Sequence, residues 1–347
     1  MLYITTRDDR DAYTAYRTLN NQYGPCGGRY IPFRTVSYSQ EEIASFLEKS
    51  FSQCVAEILN LFFSARLDSW DVDFCIGRRP VKLVPMSHKI VIAECWNNPD
   101  WDLYRTVRNL KSRIMGNTAS SYEPTDWSWI AVRIALLFGI FAEMNRIGIA
   151  DTDRRIDVSV CAGDFSAPMA VWYARQMGLP IGNIIFTCNE NSGPWDLLHH
   201  GELHTASPVR ATVTPMCDWS VPVDLERLIY GVFGKDETAR YLEICRRKGV
   251  YTLTDAQAQT LRNGMFGAVI SQKRMESVIR NVYKTRTYLL GPYSAMAYGG
   301  LQDYRATNTD AAPALIITEQ GPQCAPDQIA QALGIDPALF KDRINRI

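Results

Sequence analysis

The chain has 347 residues, 46% of them hydrophobic and 21% charged, which excludes a disordered tail and a disulfide-stapled miniprotein. Its 37 basic residues balance 37 acidic ones, so the chain lacks the long-range positive field that non-specific nucleic-acid binding uses. No nucleic-acid partner is expected, and the length suits one large domain or two of moderate size.

The opening, MLYITTRDD, has no basic stretch ahead of an apolar core. Gly24-Pro25-Cys26-Gly27-Gly28 marks a tight turn, and Ser39-Gln40-Glu41-Glu42 has capping-box spacing ahead of Ile43, Phe46, Val55, Ile58 and Leu61. Two helices, over 40–50 and 51–65, follow from that. Residues 81–95 read as β-rich, and the Trp/Asn/Asp-rich segment from Trp96 to Leu103 reads as loop. A long helix is expected from about Asp126, because Ile130, Ile134, Leu137, Phe138 and Phe141 recur at three- and four-residue intervals. Its apolar run, Ile134 to Ala142, is too short for a membrane span, so a cytoplasmic protein with no membrane partner is the expectation.

Next comes strand Ile156–Val160, a small-residue turn Cys161–Ser166, a helix Pro168–Met177, Gly178-Leu179-Pro180 and a strand Asn183–Cys188. That order within one short stretch is the βαβ unit of a parallel sheet. Thr254 caps a helix from Asp255 to about Leu261, Ser271–Arg286 reads as another helix, and Ala314–Ile317 as a short buried strand. The fold class is therefore α/β, divided here into an N-terminal helical and strand region (1–95) and an α/β core (96–347). Nine cysteines, an odd set without any Cys-x-x-Cys pair, read as buried thiols of a reducing compartment.

A turn between a parallel strand and a helix N-terminus gathers unpaired N–H groups that suit a phosphate, and Ala162-Gly163-Asp164-Phe165-Ser166 sits there. A plain structural turn is the favoured reading, since every βαβ unit needs one and Asp164 would repel a dianion. His199, His200 and His204 cluster beside Glu202, but Gly201 interrupts the segment, so a helix there is doubted and no metal site is expected. No nucleophile–base constellation assembles, and nine lysines against 28 arginines leave few Schiff-base candidates.

Several segments together resemble the threonine synthase family, fold-type II pyridoxal-phosphate (PLP) enzymes similar to the tryptophan synthase β fold. Gly27-Gly28-Arg29-Tyr30-Ile31-Pro32 resembles the family's "GGLYVP", and Asp218-Trp219-Ser220-Val221-Pro222-Val223-Asp224-Leu225-Glu226-Arg227-Leu228 its "MDVSxPSNLERL". Asn189-Glu190-Asn191 with Leu197–Gly201 resembles "NxND…FLxxG", and Pro292 with Ala295-Met296-Ala297-Tyr298 resembles "PHxAVAY". The resemblance implies a parallel-sheet core and the conversion of phosphohomoserine to threonine.

The departures fall on the chemistry. Tyr104 stands where the family's "HGPTxAFKD" has its Schiff-base lysine, and tyrosine cannot form an aldimine. Only Thr106 to Ser121 remains where the family carries its mobile lid subdomain, so the lid is expected to be reduced or absent. Trp129 replaces the substrate-phosphate arginine of "NSINWGR"; the cofactor-phosphate loop "SGNFG" has become Ala162–Ser166; Glu319 replaces the threonine of "GTAHPAKF". The expectation is a degenerate homologue, a pseudoenzyme without cofactor that acts as a binding or scaffold protein. Its expected occupants are a protein partner, a second copy of the chain or an anionic small molecule at the Gly163 loop. The alternative is a PLP-dependent lyase or transferase that uses Lys89 or Lys111 as a relocated Schiff base.

Overall fold

The computed structural model describes residues 1–77, 81–96, 103–116, 126–309 and 312–344. Its centre is a six-stranded sheet in the order Met265–Val269, Ile181–Cys188, Ile156–Cys161, Ala314–Thr318, Ile90–Glu94 and Lys82–Ser87. Five strands run parallel, and only the last, at the edge, pairs antiparallel. Pro85 lies in that edge strand, where a missing N–H costs no ladder bond, and the register shifts between Pro85 and Ser87. Because strands from both sides of residue 95 share this sheet, the N-terminal region supplies part of the core.

The expected βαβ unit is present: the Ile156–Cys161 and Ile181–Cys188 strands pair through Val158 with Ile184 and Val160 with Phe186, and the Ser166–Gln176 helix joins them. Helices cover both sheet faces, so even the polar Asp157 and Ser159 of the first strand are buried. Side chains alternate between two cores, Ile184 packing with Val158 and Ile134 on one face while Ile185 packs with Ile316 and Ala297 on the other. The Pro292–Thr307 helix reaches the second face closely, since a Cβ at Gly300 would fall 2.2 Å from Thr187 Cγ2.

The Gln40–Glu48 and Phe51–Phe63 helices carry the capping boxes that Ser39 and Ser50 form with Glu42 and Gln53. Phe51–Phe63 packs on the Trp127–Arg146 helix. That helix is longer than its unbroken apolar run suggests: 20 residues, with mean hydropathy 1.5 over a window long enough to cross a membrane. Within the fold 89% of that window is buried, as expected of a core helix. Leu103 already begins a helix, Leu103–Met115, and the rest of the expected 96–103 loop lies almost wholly outside the described residues. Only residues 116–126 separate that helix from the next.

Candidate functional site

A crevice of about 500 Å³ opens where the Ile156–Cys161 and Ala314–Thr318 strands end, the carboxyl side at which open α/β sheets bind ligands. It brings together six residues that are distant in sequence or singled out by it: Tyr104, Trp129, Ala162, Gly163, Asp164 and Glu319. Phe165 and Ser166 lie behind the surface, each 1% exposed. Met216, Cys217, Trp219 and Tyr293 complete the walls. A broader polar groove of about 970 Å³ lies at the opposite ends of the strands, beside Arg155, Asp157, Arg175 and Asn183.

The loop after the first strand is tightly wound. Gly163 takes a φ of 52° and Phe165 one of 73°, a left-handed conformation that a side chain adopts at a cost of roughly 1–2 kcal/mol. Burial of the Phe165 ring edge-on to Phe186, centroids 5.2 Å apart, offsets that cost. Asp164 then turns back on the helix it precedes: its Oδ1 accepts from the Ser166 N–H at 3.0 Å and from the Ser166 hydroxyl. One of the orphan donors that an incoming anion would use is already satisfied by a carboxylate.

Arg133 escaped the sequence reading, which counted the guanidinium as lost when Trp129 took its place. Four residues on along the same helix face, it reaches the same crevice, a spacing that the sequence did contain. Its Nε and Nη2 donate to Glu319 Oε1 and Oε2 at 2.6 and 2.8 Å, and its Nη1 donates to Ser166 Oγ at 3.1 Å. Burial disfavours the charge, yet attraction and hydrogen bonding by Glu319 outweigh it and raise the Arg133 pKa. Tyr104 packs against Trp129 on the crevice wall, ring centroids 5.6 Å apart. Cys161 and Cys217 also line it; the Cys217 thiol and burial together hold the Cys161 thiol well above its ordinary range.

Among solved structures, PLP-bound threonine synthase from Brucella melitensis superposes with a TM-score of 0.82 at 16% identity, covering 99% of this chain and 94% of that one. The yeast threonine synthase gives 0.83 at 15% identity, covering 96% and 90%. The fold is that of the threonine synthases. In sequence the chain is 23% identical over 232 residues to threonine synthase of Pseudomonas aeruginosa, and 23% over 233 residues to human threonine synthase-like 1. Each match covers 65% of this chain but only 47% and 28% of those proteins, so the chain matches about half the length of the first and less of the second. No family model matches.

The described lining of this crevice supplies no amine of the kind that a Schiff base with PLP requires. All nine lysines fall within described segments, and none lines the crevice. Lys89 is exposed in the turn before the Ile90–Glu94 strand, at the opposite end of the sheet. Lys111 is 2% exposed, its Nζ donating to Asp126 Oδ2 at 2.5 Å. The Ala162–Ser166 loop carries Asp164, and the nearby guanidinium is paired with Glu319.

The histidine cluster is split, as the glycine within it predicts. Gly193–His200 is a helix that Gly201 ends in a left-handed conformation at φ 73°, so the helix does not run on to His204. His199 stacks on Trp195 with centroids 4.4 Å apart, and His204 lies in a separate strand. Among the described residues no three His, Cys, Asp or Glu side chains converge as metal ligands.

Proposed function

We propose that this chain is a non-catalytic, threonine-synthase-like protein whose crevice serves binding and not chemistry, and that it works without PLP. One observation carries the reading: Tyr104 lines the crevice, and each of the nine lysines lies elsewhere. A covalent internal aldimine needs a primary amine within reach of the cofactor aldehyde, and a phenol cannot supply it.

The phosphate end supports the same reading. Family chemistry asks for donors facing two dianions, those of cofactor and substrate, whereas here Asp164 and Glu319 occupy the loop and the guanidinium. Each carboxylate placed beside a phosphate adds repulsion where binding must be strong. The large-domain segments Asp218–Leu228 and Pro292–Tyr298 resemble framework: Arg227 pairs with Asp224 and donates to Tyr30 O, and the Pro292–Thr307 helix packs on the central strands. A scaffold kept after loss of its chemistry accounts for both observations.

Incubating the purified chain with PLP and phosphohomoserine tests this. Phosphate release at the rate of a protein-free control is expected, and release above that rate that is proportional to protein concentration overturns the proposal.

A further inference from the structure

We propose that the crevice binds a flat aromatic cation. The inference rests on the reading that no Schiff base forms there and names the class of ligand that the same walls would accept.

Shape and surface come first. Tyr104, Trp129, Trp219 and Tyr293 give the crevice aromatic walls, and two of them are pinned from behind. The Trp219 indole donates to Met216 O at 3.1 Å, and the Tyr293 hydroxyl accepts from the Met216 N–H at 3.3 Å. Fixed rings present their negative faces without ordering cost on binding, and ring faces attract flat partners and cations alike.

Charge then selects the sign. The described lining includes three carboxylates, Asp164, Asp218 and Glu319, against the single guanidinium of Arg133. Glu319 cancels Arg133 in a two-point pair, which leaves Asp164 and Asp218. Asp218 receives its hydrogen bonds from Asn189, Asn191 and Thr212, all neutral donors, so its hydrogen bonds are satisfied while its charge is not cancelled. Asp164 is bonded through Oδ1 by the N–H and hydroxyl of Ser166, and the Arg133 guanidinium that it attracts is already paired with Glu319. A partly desolvated site of this composition repels the anionic occupant expected from the Gly163 loop and attracts an ammonium carried on an aromatic ring.

Calorimetric titration of the full chain at pH 7 with tryptamine, tryptophol and indole-3-propionate compares one ring system bearing positive, neutral and negative charge. Tryptamine is expected to bind at least about tenfold more tightly than tryptophol, with no heat from indole-3-propionate. Asp164→Asn keeps a capping side chain on Ser166, so it folds, and it should reduce that preference to about threefold or less. Equal or tighter binding of tryptophol or indole-3-propionate, no binding of tryptamine, or an unchanged preference in Asp164→Asn each overturns the proposal. If PLP instead forms an aldimine band with the chain, the underlying reading fails as well; without that band, a negative tryptamine result removes the ligand class alone.

Discussion

Arg133 and Glu319 close on each other through two parallel hydrogen bonds, of 2.6 and 2.8 Å, on the wall of the crevice. The pair is largely buried, with the two side chains 10% and 21% exposed. Charge is thus present beside the helix N-terminus but committed internally, which separates having an arginine from having an anion site. Removing the acid should free it. Glu319→Ala is expected to lower stability by about 3 kcal/mol in urea unfolding, because it leaves a buried cation uncompensated. Inorganic phosphate should then raise the melting temperature of the variant and leave the parent unchanged. A parent that phosphate stabilises equally would count against the pairing argument.

Lys111 and Asp126 form a second buried pair. Burial raises the Asp126 pKa, an effect that attraction and hydrogen bonding by Lys111 and hydrogen bonds from Ser128 oppose without reversing it. Both side chains are 2% exposed, and Asp126 also accepts the Ser128 N–H that starts the long core helix. Lys111→Met should therefore cost about 3–5 kcal/mol in chemical denaturation, and adding Asp126→Asn should recover part of it, a coupling of about 1–3 kcal/mol in the double-variant cycle. Additive losses would show that the two side chains act separately.

Thiol reactivity provides a pH-dependent test. Burial disfavours the thiolate and pushes Cys54 up to about 12 and Cys75 up to about 11, and Cys95, Cys161, Cys188 and Cys245 are raised for related reasons. Cys26 and Cys324 are exposed. At pH 8 the raised groups remain protonated, so native protein should react with Ellman's reagent at Cys26 and Cys324 first. The raised thiols should follow only with opening of the fold or as pH climbs toward their values. Rapid modification of Cys54 or Cys75 at pH 8, read by peptide mapping, would contradict the packing.

What could be read from sequence was set by local physics. Ser39 and Thr254 announced helices because a cap and its partner three residues on are neighbours in the chain, and the βαβ turn at Gly163 was legible for the same reason. The crevice lining at Tyr104, Trp129 and Glu319 was reached through family resemblance and not through periodicity. Arg133 and Asp218 were missed as lining groups because their roles depend on the partners that the sheet order delivers from nearly two hundred residues away in one case and from the 189–212 segment in the other. The Lys235–Arg246 helix was not foreseen because only Thr238 and Tyr241 are buried, too few to set a clear apolar period. Gly201 was legible for a positional reason: it is the left-handed residue that ends the Gly193–His200 helix, so no helix runs on to His204.

The most direct check on the central claim is to soak the native chain with equimolar PLP, reduce with borohydride and map any pyridoxyl-lysine by mass spectrometry. Without an amine in the crevice, no stoichiometric adduct should form, and any trace labelling should scatter over exposed lysines such as Lys89. A single lysine carrying one pyridoxyl group per chain, with labelling suppressed by a crevice ligand, would contradict the account.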